Sequence, residues 1–322
     1  MRAVQVVQPT GPADVVVNEV PEPTPGPGDV LVDVHRIGVS FPDLLLSKGQ
    51  YQLRPELPFT LGVDFAGVVV SGPAGFEPGQ RVAGVGGYGN AAERVASPAD
   101  FTFALPDGVS LDEGAALPMN YLTAQFALAE RGQLCPGETV LVHGAAGGVG
   151  TATLQVAQGY GARTIAVVST EEKAAIARAA GADEVVLLDG FLPAVKDLTD
   201  GRGVDVVLDV VGGAAFTDSL RALAAQGRLL VVGFAAGQGI PEVKVNRLLL
   251  NNIDVRGVGW GAYAMARPGY LQQQWAELLP MMESGVIRPP IGATYELEEF
   301  GRALVDMEER RTLGKSVVRV RD

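Results

Sequence analysis

The densest chemical signal in the chain is the run Thr139-Val140-Leu141-Val142-His143-Gly144-Ala145-Ala146-Gly147-Gly148-Val149-Gly150. A stretch of β-formers enters a glycine cluster, and a helix-like segment leaves it. Glycines let backbone amides approach a diphosphate because no Cβ stands in the way. A helix opening at that point turns free N–H groups and the positive end of its dipole toward the anion. The dinucleotide fingerprint G-x-G-x-x-G falls on Ala145, Gly147 and Gly150, with its first glycine replaced. Gly147 is expected at the closest approach to the pyrophosphate and Gly150 where helix packs on strand. Ala146, Gly148 and Val149 complete the cradle. Alone, such a loop also serves as an ordinary βα turn, so its meaning depends on its surroundings.

Those surroundings carry chemistry of their own. The run Thr164–Val168 ends in Ser169-Thr170-Glu171-Glu172-Lys173. NAD-specific sites place an acidic residue near this point, against the ribose 2′-OH. Here Ser169 and Thr170 can hydrogen-bond a 2′-phosphate and Lys173 can neutralise it, which favours NADPH over NADH. The same residues also read as a helix start, because Ser169-x-x-Glu172 is a capping box. Val211, Gly212 and Gly213 follow one later apolar run, and Gly233-Phe234-Ala235 follow the next. Both fall where carboxyl ends of parallel strands line a cofactor crevice, so Val211, Gly233, Phe234 and Ala235 are expected to touch the cofactor. His143 is expected in a supporting, not a catalytic, role.

Metal ligands are scarce. The 322 residues include two histidines, His35 and His143, and one cysteine, Cys135. Structural zinc takes four Cys or His ligands and catalytic zinc usually three protein ligands, so no zinc site is expected. His35 alternates with valines in Val30-Leu31-Val32-Asp33-Val34-His35, which places it beside Asp33 on the outer face of a strand. A net charge of −12, with no run of Lys and Arg, argues against nucleic acid as a main partner. No apolar run approaches the ~20 residues that cross a bilayer, and the first residues lack the pattern of a signal peptide. A soluble cytoplasmic protein without a membrane partner is expected.

Three textures of sequence must position these residues. Residues 1–120 hold short alternating segments (Ala3–Val7, Val15–Val20, Val30–Val34, Val63–Val70) broken by Pro and Gly, as in a mainly antiparallel β unit. Residues 121–260 alternate apolar runs (139–143, 164–168, 184–188, 204–209, 228–233, 252–258) with helical patterns near 149–160, 171–181, 214–225 and 242–251. That is the pattern of a parallel sheet covered on both faces, and six strands suit a doubly wound Rossmann fold. Residues 261–322 add helices near 268–284 and 297–309 and a closing strand, Lys315–Val320. The first and third regions are expected to form one domain into which the second is inserted.

With these motifs in place, the chain resembles the zinc-free quinone oxidoreductases (zeta-crystallin-like) of the medium-chain dehydrogenase/reductase superfamily, over essentially its whole length. The segments that carry the resemblance, besides the glycine loop, are Gly38–Asp43, Lys48–Tyr51, Leu57–Val69, Ala116–Ala124 and Gly314–Val318. The resemblance implies a GroES-like catalytic domain with an inserted Rossmann domain, reduction of quinones or conjugated carbonyls by NADPH, and a homodimer. Zinc relatives carry a cysteine near Ser40 and a histidine near Val63, and this chain has neither. By position, Tyr51 would lie beside the nicotinamide and the substrate, Thr123 on the carboxamide side, and Lys173 at the 2′-phosphate. Lys315 would approach the cofactor near the closing strand. Ser40 would contact the cofactor; many relatives have Asn there, so that polar contact is shorter here, and many have Tyr near Leu188 to flank the adenosine phosphate.

The expected chemistry is direct hydride transfer to an electron-poor quinone or enone. Tyr51 is the candidate catalytic residue: it would donate the closing proton, orient water, or serve as an aromatic wall. Phe41, Trp260 and Tyr263 are candidate substrate-pocket residues, with Trp260 and Tyr263 alternatively at a dimer edge. Asp43 and Asp64 are expected to hold loops. Two other functions remain open at this point: reduction of enoyl thioesters or alkenals, and NADPH binding with little turnover in a structural or sensing protein.

Overall fold

The β-formers of the first region behave as their alternation predicts. In the computed structural model, which describes residues 1–322, the valines at 30, 32 and 34 are fully buried while Asp33 and His35 stay partly exposed. The chain divides into two units: Met1–Asn120 with Arg267–Ala276 and Ile291–Asp322, and Tyr121–Ala266 with Glu277–Pro290.

The first unit opens with β1 (Arg2–Val6), β2 (Val16–Glu19), β3 (Asp29–Gly38), α1 (Phe41–Ser47), β4 (Phe59–Thr60), β5 (Asp64–Ser71), β6 (Arg81–Val85), β7 (Arg94–Pro98), β8 (Thr102–Ala104) and α2 (Leu111–Ala116). After α3 (Pro118–Gln125), the second unit runs β9 (Thr139–His143), α4 (Gly148–Gly159), β10 (Arg163–Val168), α5 (Glu171–Ala179), β11 (Glu184–Leu187), α6 (Phe191–Leu198), β12 (Val204–Asp209), α7 (Ala215–Ala222), β13 (Leu223–Val231), α8 (Asn246–Asn251), β14 (Asp254–Gly257) and α9 (Trp260–Ala264). The chain ends with α10 (Tyr270–Glu283), β15 (Ile291–Glu296), α11 (Phe300–Glu308) and β16 (Lys315–Arg319).

In the first unit, one sheet has the order β15-β16-β3-β5-β6-β8, with β7 also paired to β3, and a small sheet has the order β2-β1-β4. All pairings are antiparallel except β15 with β16. The core between them gathers Val4, Ile37, Leu44, Leu61, Phe65 and Phe300. In the second unit a single parallel sheet has the order β11-β10-β9-β12-β13-β14. Numbered within the unit this is 3-2-1-4-5-6, the doubly wound dinucleotide-fold order, with its switch point beside β9. Strands buried on both faces need no alternation, which is why Val140, Leu141 and Val142 are all fully buried. The GroES-like plus Rossmann architecture expected from the sequence is thus present.

Two features depart from the sequence reading. The crossover from β11 to β12 contains α6, where no helix was expected. Pro193 masks the pattern, but it stands in the first turn, where a missing N–H costs nothing. The expected return to the first domain at 261 is also not where the chain returns. Residues 261–266 and 277–290 belong with the second unit. Within that unit, Gln125 Nε2 donates to Glu277 at 2.6 Å and Gln155 Nε2 to the Arg288 carbonyl at 2.8 Å. Residues 267–276 are held in the first unit, where Trp275 stacks on Phe103 at 4.6 Å and Gln272 Nε2 donates to the Thr102 carbonyl at 2.9 Å. No helix is long and apolar enough to cross a membrane.

Candidate active site: a glycine cradle and a buried ionic triad

The glycine loop begins where β9 ends. Its left-handed residue is Gly144, at φ +64°, not position 145, so the tight turn that the fingerprint assigns to its first glycine is made one residue earlier. Ala145, which replaces that glycine, is fully buried and donates its N–H to the Val167 carbonyl at 3.3 Å, tying the loop to β10. Gly147 caps α4, and Thr151 N–H donates back to its carbonyl at 2.9 Å. The amides of Gly148, Val149 and Gly150 are the first of the helix, which have no intrahelical acceptor and point outward from its positive end. A Cβ on Gly150 would stand 2.2 Å from the Gly144 carbonyl oxygen, so only glycine lets helix and loop approach this closely. At Gly147 the nearest atom would be the Gly144 oxygen at 3.4 Å, which leaves the space over the cap open.

Two further loops close on this one. A Cβ on Gly144 would meet Val210 and Val211 side chains at 2.8 and 3.2 Å. Gly233-Phe234-Ala235 is hung on the same strand end: Gly233 N–H donates to the Asp209 carbonyl at 3.4 Å and Ala235 N–H to that of Val210 at 3.1 Å. The structure therefore brings Ala146–Gly150, Val211 and Gly233–Ala235 to one end of the parallel sheet. The sequence reading did not single out Asp209, the buried residue that organises this corner. Its Oδ1 accepts the amides of Val211 and Gly212, each at 2.8 Å, while both Gly212 and Gly213 take positive φ. Its one sequence signal is an acidic residue ending an apolar strand just before two glycines.

His143 supports the loop from below. It is buried, its Nε2 lies 2.8 Å from Ser219 Oγ, and its ring meets Phe191 edge-on at 4.9 Å. Burial holds its pKa below the usual imidazole value. At the tip of β10, Ser169 and Thr170 are exposed and Lys173 partly so. The cap of α5 is Thr170, whose Oγ1 accepts Lys173 N–H at 3.3 Å, not Ser169 as the capping-box alternative had it. Thr123 and Trp260 are buried, and Tyr263 packs on Phe126 with ring centroids 5.1 Å apart. Trp260 and Tyr263 both lie on α9 in the second unit, so the boundary expected between them is absent.

The remaining predicted residues belong to the first unit, where adjacent strand ends bring them together. Gly38 pairs with Asp64 on one side and Val317 on the other, and Val39 N–H donates to the Ser316 carbonyl at 3.0 Å. This register puts Ser40, Asp64 and Lys315 side by side. Gly38 permits the approach, since its Cβ would stand 2.0 Å from the Ala115 carbonyl oxygen and 2.9 Å from Lys315 Cε. Lys315 Nζ lies 2.7 Å from Ser40 Oγ and 2.7 Å from Asp64 Oδ2, and Ser40 Oγ donates to Asp64 Oδ2 at 2.9 Å. Asp64 Oδ1 accepts Met119 N–H at 2.8 Å. Ser40 also opens α1, and Asp43 closes that cap by accepting Ser40 N–H at 3.0 Å and Gly62 N–H at 2.9 Å. Burial pushes the Asp43 carboxyl up to about 7 against the lowering effect of those amides, and the neighbouring Asp64 charge adds to the rise. Tyr51 is half-buried beside this group; its phenol is pushed up by burial and by the Asp43 charge. Phe41, next to Ser40, is 41% exposed.

Comparison with known proteins agrees with this construction. Residues 148–284 match the zinc-binding dehydrogenase family and residues 26–107 the alcohol dehydrogenase GroES-like domain. The rat protein named quinone oxidoreductase-like protein 2 is 40% identical over 296 residues, which cover 90% of this chain and 84% of the relative. The crystal structure of a probable oxidoreductase from Mycobacterium abscessus superposes with a TM-score of 0.90 at 43% identity, over 99% of each chain. The quinone oxidoreductase of Thermus thermophilus, solved also in complex with NADPH, does so with a TM-score of 0.86 at 34% identity, over 99% of this chain and 100% of that one. The chain belongs to the medium-chain dehydrogenase/reductase superfamily, among its quinone oxidoreductase-type members, and is an oxidoreductase.

Proposed function

We propose that the protein is an NADPH-dependent reductase that passes hydride to a quinone or another conjugated carbonyl without zinc, and that it works as a homodimer. The observation that carries this reading is the cradle at the start of α4, where Gly147 leaves the cap open and the first amides face outward. Such a cradle fits a pyrophosphate. The exposed hydroxyls of Ser169 and Thr170, with Lys173 one turn into α5, support a 2′-phosphate and hence NADPH over NADH. The NADPH complex of the Thermus relative supports the same cofactor.

The cofactor supplies the hydride, and the chain binds, orients and excludes water. In the second unit, the α4 amides would hold the pyrophosphate, the Asp209-fixed turn would present Val211, and the backbone of Gly233–Ala235 and Thr123 would meet the nicotinamide end, with Trp260 and Tyr263 as apolar walls. In the first unit, Ser40 and Lys315 would contact the cofactor, Tyr51 the cofactor and the acceptor, and Phe41 the acceptor. A quinone takes hydride without metal polarisation because the charge delocalises onto its oxygens, leaving an anion that needs one proton. The names of the relatives support a quinone acceptor.

The test is a fluorescence titration with NADPH and NADH, followed by steady-state cofactor oxidation with quinones, enals and enoyl thioesters. Tighter NADPH binding and turnover of quinones are expected. Turnover confined to enals or enoyl thioesters would move the substrate class, and binding without turnover of any acceptor would replace the enzyme by a sensing or structural role. Stoichiometric zinc by elemental analysis would overturn the metal-free mechanism.

A further inference from the structure

His143 is enclosed within the second unit, and one of its ring nitrogens is left without a partner. It is 1% exposed and stands directly before Gly144, as the last residue of β9. Ser219 has one hydroxyl proton and gives it to the Ala215 carbonyl at 2.8 Å. His143 Nε2, 2.8 Å from the same Ser219 oxygen, is therefore the donor of that pair. The neutral ring so held carries its proton on Nε2, and Nδ1 is a bare acceptor that nothing satisfies. An unpaired buried acceptor weakens a fold, and an apolar side chain in its place would not incur that loss.

The ring sits among the anchors of the cradle. On one side His143 pairs with Val167, whose carbonyl holds the Ala145 amide at 3.3 Å. On the other side it comes one step beyond the Val142–Leu208 pair, level with Asp209 and on the same face of the sheet. Asp209 Oδ1 fixes the turn through the Val211 and Gly212 amides. The elements packed on the ring bring Val167 from β10, Phe191 from α6 and Ser219 from α7, none of which is charged. Asp209 from β12 is the one charged group that acts on it. A proton added at Nδ1 creates a buried N–H, and the Asp209 carboxylate is the charged acceptor at hand. Meeting that N–H draws the carboxylate away from the two amides. Gly212 and Gly213, both at positive φ, then lose the contact that fixes their turn.

We propose that His143 is a proton-operated latch on the dinucleotide cradle: the neutral ring leaves Asp209 to hold the 211–213 turn for the cofactor, and protonation at Nδ1 releases that turn and lowers cofactor affinity. This rests on the dinucleotide reading above and lies wholly within the second unit. Burial holds the imidazole pKa below its ordinary value, and the Asp209 charge works in the opposite direction. Cofactor binding to the neutral form competes with one proton. Below the folded pKa, affinity therefore falls about tenfold per pH unit, and each cofactor bound there releases one proton. His143 is a positioning residue, because it acts on the cofactor through Asp209.

The experiment is a fluorescence titration with NADPH and NADH from pH 8 to pH 5, on wild type, His143→Gln and Asp209→Asn. The thermal midpoint at each pH confirms that the proteins are folded. Gln can donate to Ser219 as the imidazole does, but it does not titrate. Wild-type affinity for both cofactors should be level near pH 8 and fall once the pH drops below ~6.5, with a slope approaching about tenfold per unit. For NADH, which carries no phosphate monoester to titrate, the His143→Gln profile should be flat. Asp209→Asn should move the fall to lower pH, because the imidazolium loses its carboxylate. A second measurement needs no variant: the chain has two histidines, and NADPH should lower the NMR titration midpoint of the buried one. A wild-type affinity that is level or rises on acidification would overturn the latch. So would a cofactor that raises the midpoint of the buried ring, or a His143→Gln profile for NADH with the wild-type slope. Absence of cofactor binding at pH 8 overturns the dinucleotide reading itself, an outcome separate from binding that ignores pH.

Discussion

Gly150 and Asp43 are the residues whose environments make the sharpest demands. Adding one methyl at Gly150 places a carbon 2.2 Å from the Gly144 oxygen and 2.7 Å from Ala145 Cα, both backbone, so α4 must move away from its loop. Gly150→Ala is expected to cost about 1–3 kcal/mol of stability, as overpacking does, and to weaken NADPH binding, read by calorimetry and fluorescence titration on the same protein. An unchanged affinity would mean that the α4 amides do not hold the dinucleotide. Asp43 carries a pH dependence. Its folded carboxyl is pushed up to about 7, whereas an unfolded one titrates near ~4. The folded chain therefore holds an extra proton between about pH 4 and 7, and stability from this group falls as pH rises through that window, by up to about 1.4 kcal/mol per pH unit, then levels off. In Asp43→Asn that contribution is absent. The gap between wild-type and variant urea midpoints should narrow or widen only inside the window, and a constant gap would place the Asp43 titration elsewhere.

At the scale of elements, the β10–α5 junction is where the proposed choice of NADPH would be made. Thr170 spends its hydroxyl on the Lys173 amide, so it starts the helix and holds Lys173 in the first turn at once. If the 2′-phosphate is read there, Lys173→Ala should weaken NADPH by about tenfold or more, the scale of one charged hydrogen bond, and should leave NADH binding nearly unchanged. Equal losses for the two cofactors would assign Lys173 to the fold instead. The parallel strands were legible as continuous apolar runs, and the loops were legible from their glycines. The position of the tight turn was not, because Gly144 and Ala145 are both small and only φ separates their roles. Asp209 escaped for a related reason: a carboxylate at a strand end shows its purpose only when the amides it accepts are seen to fold back on it.

At the scale of the whole molecule, the segment before β14 is the exception to a well-buried second unit. Ile240, Val245, Leu249 and Leu250 are 72–77% exposed, and β14 is the edge strand of the parallel sheet. An open edge beside exposed aliphatics is a surface that proteins normally cover, and the proposed homodimer would cover it with the same surface of a second copy. Wild type is expected to sediment as two chains of 33.5 kDa each, and Leu249→Glu with Leu250→Glu to shift it toward one chain with the fold retained by circular dichroism. A wild-type monomer, or a dimer indifferent to these changes, would place the contact elsewhere or remove it.

The sequence by itself determined the fold class, the six-strand count of the inserted sheet and the place of the glycine cradle, because each depends on local signals: run length, alternation, and glycine beside a helix start. It also named Ser40, Tyr51, Thr123 and Lys315, but only through resemblance, since nothing local connects positions separated by as many as 275 residues. Only the tertiary structure decided that Ser40, Asp64 and Lys315 meet, because the strand register across β16, β3 and β5 sets their spacing. It likewise divided α10 between the two units, since a helix presents successive turns to different neighbours and its sequence period does not say which.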